Sequence, residues 1–577
     1  MVFTPPVWVP QLPFDPPDSI PIHEFWSSEK YGRQPLARSR NPYTCGITGK
    51  TYTAAEMTER YELLARSLAK RMGWRPNEET PWDKVVGVFS FNSIDYMMST
   101  FAVHRLSGIV TPANAMYSAA ELEHQLKSAG VKALITCIPL LDTALKATRA
   151  CGIPDDKVFV MRIPGESKPV PFKSLDNLID EGRSLAEVEP LVWAKGQGAR
   201  QVAYLCYSSG TSGLPKAVMI AHRNVIANMM QIRWHEDPGR KAKGIETQVQ
   251  LGLLPLSHIY GLVVVAQAGT YRGDAVIILP KFELKTLLET IQRYKINFLH
   301  IVPPIVIQML RNMELCAKYD LSSVRMVYTG AAPLGAETHE DMVKAFPFLN
   351  VGQGYGMTET STVVTSTGEN DVMIGTSGSL APASRAKLIG EDGKEITEYE
   401  KRGELWVQSP SVTLGYLNNE KATSEAYVWD DDGRWIRTGD VAVVRKSPAG
   451  HEHIAVVDRL KELIKVKGHQ VAPAELEAHL LSHPDVNDCT VIPIPDEASG
   501  EVPKAFVVKS ASAASRPDDE VAREISKWVE EHKARYKWLK GGVEFIDAIP
   551  KSPSGKILRR FLKDREREKR RAMGAKL

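Results

Sequence analysis

The chain predicts an α/β protein made of a large N-terminal domain and a small α+β C-terminal lid. Three observations lead there. Short apolar runs alternate with helical intervals through the first half of the chain, the pattern of a largely parallel sheet. A length of 577 residues exceeds what one hydrophobic core usually supports. A charged junction, Asp458 to Lys465, then separates the long part, 1–458, from a compact remainder, 459–577.

The elements follow in order. Residues 1 to about 50 are rich in Pro and polar residues and are expected to wrap over a core rather than form one. Between Tyr52 and Arg71, Tyr61, Leu64 and Leu68 recur at helical spacing, with Leu63 and Ser67 widening that face. Val85 to Phe89 reads as a strand, followed by a helix through Asp95 to Leu106. Further strands are read at 109–111, 133–136, 158–161 and 202–205, with a helix over Ser118 to Ala129. A helix starts near Ala221, and 297–304 reads as a buried strand and turn. From about 379 to 458 the composition shifts to short strands and Gly turns, a β-rich subdomain. Beyond the junction come a helix from Ala474 to Leu481 and strands near Cys489 and Ala505.

Composition narrows the class. With 43% hydrophobic and 24% charged residues the chain is ordinary for a soluble globular protein. A net charge of +3 gives little reason to expect nucleic acid as a partner. Six scattered cysteines show no paired metal spacing and point to a reducing compartment. Met1 to Pro6 has neither a basic start nor an apolar block, so no secretory signal is read there. No transmembrane segment is expected, because the run Leu262 to Ala266 is far too short.

The chemistry concentrates in a few stretches. In Tyr207 to Lys216, small residues let backbone N–H groups crowd an oxyanion, hydroxyls add donors and Lys216 supplies a cation. That is a phosphate cradle without the usual NTPase spacing; a Ser/Gly surface turn is the competing reading. Leu253 to Gly261 is a proline-interrupted apolar run ending in His258 and Tyr260, either core packing or the wall of a ligand pocket. In Gln353 to Thr360, Tyr355 offers a flat face, Thr358 a hydroxyl for a phosphate and Glu359 a carboxylate for Mg²⁺. All three are expected at one glycine-permitted bend. Asp440, exposed by a Gly turn, is suited to accept two ribose hydroxyls. Lys556 follows a tight turn in Pro550 to Ile557, where a plain surface lysine is the alternative. The basic run Arg559 to Arg571 reads as a solvated helix or a nucleic-acid arm, although no aromatic platform accompanies it. A small lysine-rich domain beside a phosphate site suggests a lid.

Together these stretches resemble the signatures of the adenylate-forming superfamily: acyl-CoA synthetases, luciferases and peptide-synthetase adenylation domains. The strings Tyr207-Ser208-Ser209-Gly210 and Asp458 to Lys465 are similar to 4-coumarate and aryl-CoA ligases. Trp8 to Pro21 and the ending Ala575-Lys576-Leu577 resemble filamentous-fungal peroxisomal phenylacetyl-CoA ligases. The resemblance spans nearly the whole chain. It implies the fold of that superfamily, with an adenylation domain at 1–458 and a mobile lid at 459–577. It implies an ATP-dependent carboxylate–CoA ligase that forms an acyl-adenylate and then a thioester, releasing pyrophosphate and AMP.

The resemblance also implies residue roles. Catalysis falls to Lys556, Thr358, Glu359 and His258, with Glu359 holding Mg²⁺. ATP would be bound by Ser208, Ser209, Gly210, Thr211, Ser212, Lys216, Gln353, Gly354, Tyr355, Asp440, Arg459 and Gln470 as well. His258, Tyr260, Gly330, Ala331 and Gly354 would line the acyl pocket, Lys461 would be the hinge, and Lys467 and Gly468 would meet coenzyme A. The acid is expected to be phenylacetate or a related aryl acid, with a medium-chain fatty acid as the alternative. A luciferase-like oxidoreductase and a non-catalytic nucleic-acid-binding protein are the remote readings. The last three residues imply a peroxisomal import receptor as partner. Two positions depart from the pattern: His469 stands where coumarate ligases have Phe, and Ala217 where many relatives have Gly.

Overall fold

The computed structural model describes residues 1–166, 168–208, 215–552 and 555–574. Among them the strands form four sheets. In the first, Val202–Ser208, Ile109–Ala113, Val85–Phe89, Ala133–Thr136 and Val158–Val160 run parallel. Lys216–Ala221 and Gly415–Tyr416 add an antiparallel edge. The second sheet has a parallel centre of Asn350–Met357, Met326–Thr329, Phe298–Ile301, Val249–Gly252 and Ala275–Ile278. Its strands are nearly all buried, as parallel strands covered on both faces must be. The crossover helices have clear ends. Thr53 and Glu56 form a capping box before Ala54–Met72, Ser118 and Glu121 another before Ala119–Ala129, and Gly73 and Gly130 close them in the left-handed conformation.

The third sheet is antiparallel and contains Arg385–Ile389, Gly403–Gln408, Gly433–Lys446 and Glu452–Arg459. The chain leaves it after Arg459 and enters the fourth sheet at Ile464, which fixes where the architecture changes. That last sheet pairs His469–Val471, Ile464–Val466, Gly500–Lys509 and Val486–Asp496 antiparallel, with Val543–Phe545 parallel to Gly500–Lys509. It has its own core, centred on Ile464, Leu476, Val491, Val507 and Ile525. The expected α/β body with an α+β lid is the observed architecture. Among the described residues no helix is long and apolar enough to cross a membrane.

Two expectations need correction, and one choice between readings is decided. The N-terminal segment does not merely wrap: Ile22, Phe25 and Trp26 are fully buried in the main core, and Tyr43–Cys45 pairs with Ala275–Ile278 in the second sheet. Proline-rich composition concealed three large apolar anchors. Of the two readings of the basic tail, the helix is the one observed. Arg559–Gly574 is a helix whose Leu562 is buried. Its cations pair with lid and junction carboxylates: Arg559 with Glu477 and Lys563 with Glu462, both at 2.6 Å, and Arg565 with Glu544 at 2.7 Å. Last, Gln353 to Met357 is not a bend but the end of an extended strand.

Candidate active site

The site lies beyond the carboxyl ends of the parallel strands in the second sheet, where α/β proteins place ligands. Strand Asn350–Met357 carries Tyr355 there, and a short 3₁₀ turn, Thr358–Thr360, follows. Glycine is required at 356 by contact, not by torsion: a Cβ there would stand 1.4 Å from the Thr362 carbonyl oxygen. The return strand begins with Ser361 and Thr362 at φ 54° and 123°, uncommon for L-residues and typical of a functional turn. This tight reversal presents Tyr355, half-buried Thr358 and buried Glu359 together.

Tyr355 donates its phenolic hydrogen to Asp440 Oδ2 at 2.6 Å. Asp440 is part of the long strand Gly433–Lys446, not of an exposed turn, and pairs directly across the ladder with Arg459. Burial raises its carboxyl above the usual range, opposed by Arg459 and the Tyr355 hydrogen bond. A flat ring and an acceptor carboxylate are thus locked at a fixed separation.

The phosphate loop is bracketed by an antiparallel pair, Ser208 opposite Lys216. Ser209, Gly210, Thr211 and Ser212, named from the sequence, lie outside the described residues. The Lys216 ammonium sits 5.0 Å from the centre of the Tyr416 ring, and Tyr416 Oη donates to Glu359 Oε1 at 2.8 Å. Tyr416 therefore orients the carboxylate and receives the cation. Its sequence context, Gly415-Tyr416 in a β-rich stretch, gave no signal of that.

Gln353 braces a neighbouring turn of the cleft. Its side-chain oxygen accepts from Leu334 N at 2.9 Å and its nitrogen donates to Leu334 O at 3.3 Å, so both ends brace the Gly330–Leu334 turn. Ala331 in that turn is left-handed, φ 67°. Tyr260 Oη lies 3.3 Å from both His300 Nδ1 and the Tyr328 carbonyl oxygen. Side chains at Gly330 and Gly354 would strike Tyr260 and Tyr328 at 2.9 and 2.3 Å, so bare backbone and two aromatic rings wall one slot. His258 is at its mouth, Nδ1 accepting from Tyr260 N at 3.3 Å. Burial first, then the charge of Lys556, pushes its imidazole down to about 4. It is neutral at physiological pH.

Lys556 comes from the lid. Gly555, left-handed at φ 80°, rests on Val302 and Pro304 of the large domain, where a Cβ would meet Val302 Cγ2 at 3.2 Å. Burial, then the neighbouring Arg459, lowers the Lys556 ammonium to about 8, while Glu359, Asp440 and Glu462 act in the opposite sense. Five separate stretches, around His258, Glu359, Asp440, Arg459 and Lys556, thus share one electrostatic neighbourhood.

Other candidates stand apart from it in this pose. Gln470 gives its amide hydrogen to Glu391 of the β-rich sheet region. Lys467 and Gly468 form an exposed left-handed turn, and His469 stacks on Tyr536 with ring centres 4.4 Å apart. Lys461 is exposed between the third and fourth sheets.

A two-domain body in which a lysine of the small domain shares one cleft with Glu359, Asp440 and Arg459 of the large domain and junction has the layout of the adenylate-forming enzymes. The pattern of AMP-binding enzymes matches residues 33–417, and that of the AMP-binding enzyme C-terminal domain matches 475–556. The chain belongs to this family and is an AMP-forming ligase. It is 40% identical over 569 residues to the acyl-CoA ligase easD of Emericella nidulans, covering 98% of this chain and 100% of that one. It is 41% identical to the acyl-CoA ligase AKT1 of Alternaria alternata, covering 98% and 97%. Among solved structures, the anthranilate CoA ligase AuaEII with anthranoyl-AMP aligns with a TM-score of 0.80 at 22% identity, covering 97% of this chain and 99% of that one. That likeness is one of fold.

Proposed function

We propose that the chain activates a carboxylic acid with ATP and transfers the acyl group to coenzyme A. The observation that carries this reading is the position of Lys556, a lid cation sharing one cleft with Glu359, Asp440 and Arg459. A carboxylate oxygen attacks the α-phosphorus of ATP, pyrophosphate leaves, and the mixed anhydride remains. Negative charge gathers on phosphorus as that bond forms. Lys556, the Thr358 hydroxyl and the Ser- and Gly-rich loop between Ser208 and Lys216 supply donors against it, so no side chain need act as nucleophile. Neutral His258 borders the carboxylate without competing for its charge.

Glu359 suits a Mg²⁺ ion. It is a buried carboxylate that accepts a hydrogen bond from the Tyr416 hydroxyl, and one carboxylate plus ligand phosphates is a common Mg²⁺ environment. When bound there, the ion supplies charge neutralisation to the triphosphate. In the second half the CoA thiol attacks the acyl carbon and AMP departs. The lid turns about Lys461 to bring Lys467 and Gly468 to the slot. The relatives named acyl-CoA ligases support this reading.

The slot beside Tyr260, Gly330 and Gly354 suits a compact aryl acid of phenylacetate type. A cavity behind Tyr328 favours a second reading, a medium-chain acid. The ending Ala575-Lys576-Leu577, outside the described residues, supports delivery to the peroxisome. Acid-dependent ATP–pyrophosphate exchange, followed by mass detection of the CoA thioester, tests the function. No exchange with any member of an aryl and alkyl acid panel would defeat it.

A further inference from the structure

The inner wall of the acyl slot hides a second chamber. Phe298, Met326 and Tyr328 of the second sheet face His235 and Glu236 of helix His222–Ala242 across a cavity of about 160 Å³, closed at one side by Trp8. Met326, Tyr328 and Gly330 are spaced by two along the chain and point to one face of the sheet. Phe298 and His300 flank Met326 and Tyr328 on the neighbouring strand. The slot beside Gly330 and the chamber beside Met326 therefore lie along one line, about 13 Å apart at strand rise. What separates them is the Tyr328 side chain, which reaches over Gly354 and binds Ser366 Oγ at 2.6 Å.

The chamber is not simply apolar. His235 is 2% exposed, and neither ring nitrogen has a hydrogen-bond partner. The Trp8 indole N–H, also without a partner, belongs to a ring 5.0 Å from the imidazole. Buried polar groups normally find partners, so three unmet atoms around one cavity point to a ligand group. Burial holds His235 down to about 3, so the imidazole is neutral and offers one donor and one acceptor. The carboxylates on the wall already have partners: Glu236 pairs with Arg272, Glu369 with Lys243 at 2.6 Å, and Asp371 lies 2.8 Å from His451 Nδ1. A second carboxylate on the ligand would be repelled there. A hydroxyl can both donate to the imidazole and accept from the indole.

Resting on the ligase reading above and deepening its second, medium-chain form in place of the aryl one, we propose that the acid substrate is a medium-length chain with a hydroxyl at the end distant from its carboxyl, and that His235 and Trp8 recognise that hydroxyl once Tyr328 swings aside. A span of about 13 Å corresponds to a chain of roughly eleven bonds.

The test compares kcat/KM in ATP–pyrophosphate exchange for ω-hydroxydecanoate, decanoate, hexanoate and phenylacetate. The hydroxylated acid should exceed decanoate about tenfold in the native protein, and His235→Leu should bring that ratio to about one while leaving hexanoate unchanged. Met326→Trp, which fills the chamber, should lower both ten-carbon acids at least about tenfold relative to hexanoate. Thermal melting confirms that each variant folds, and either variant alone decides the matter. A native ratio of one or less, or a preference that survives His235→Leu, overturns the proposal. Exchange with hexanoate or phenylacetate but not with ten-carbon acids overturns this inference and leaves the ligase reading standing. Exchange with none of them overturns both.

Discussion

Tyr355 holds Asp440 through a 2.6 Å hydrogen bond between a strand end of the second sheet and the long strand of the third. One contact therefore fixes the ring we propose for the base against the carboxylate we propose for the ribose. Tyr355→Phe keeps the ring and removes the bond, which to a charged acceptor contributes about 1.5–3 kcal/mol. We expect the KM for ATP to rise about tenfold or more with kcat within about twofold, the pattern of lost uniform binding. Steady-state kinetics at saturating acid checks it. An unchanged KM would show that Asp440 needs no help from this phenol.

Lys556→Ala should depress adenylation by on the order of 10²–10³, the cost of removing one fixed donor to a developing anion. Thioester formation from a supplied acyl-adenylate should change far less. Single-turnover measurement of the two halves separates them. Equal losses in both would remove the lysine from phosphorus chemistry.

The pH profile follows from the same lysine. Its ammonium, lowered to about 8 by burial and Arg459, is charged below that pH and neutral above it. The required form is the cation, so kcat/KM for ATP should be flat below about 8 and fall about tenfold per unit above. Lys556→Arg, whose guanidinium stays charged, should be slower but lack the alkaline limb. A limb that persists in that variant would belong to another group.

Much of this site was legible because its chemistry is local in sequence. Tyr355, Thr358 and Glu359 occupy five consecutive positions, and a strand followed by one short turn is enough to present them. Lys556 was legible through its turn, which Gly555 executes in the left-handed region. What escaped was contact between distant stretches. Tyr416 serves Glu359 across 57 positions, and the Gln353 amide braces Leu334 across 19. Nor does spacing reveal that Gly356 is glycine to avoid Thr362, because the colliding atom is a carbonyl brought back by the return strand. The parallel strands of the first sheet were read from apolar runs, but of the second sheet only the stretch around Phe298–Ile301 was. The buried N-terminal anchors were not: Ile22, Phe25 and Trp26 are spaced i, i+3, i+4, but a six-residue helix among prolines is too short for that period to stand out.

The junction offers a backbone test. Leu460 N donates to Gly439 O at 2.8 Å and Glu462 N to Arg459 O at 2.9 Å, while Lys461 is exposed between them. Lys461→Pro should leave adenylation near its native rate and slow thioester formation about tenfold or more, since proline fixes φ where the lid must turn. Native rates in both halves would place the pivot elsewhere.

Deleting Ala575-Lys576-Leu577 should leave activity in extracts intact and strand a fluorescently tagged protein in the cytosol. Unchanged import into peroxisomes would refute the address.

The seating of Gly555 on Val302 and Pro304 has a further meaning for the order of events. The small domain carries both Lys556, which we propose serves the first half-reaction, and the turn at Lys467 and Gly468, which we propose serves the second. While Gly555 is seated, Lys467 and Gly468 face solvent and Gln470 is tied to Glu391. On the proposed mechanism the two half-reactions would exclude each other in time, as a turnstile admits one person per rotation. The adenylate would then be covered while it forms, and the thiol admitted only after the cover has been lifted.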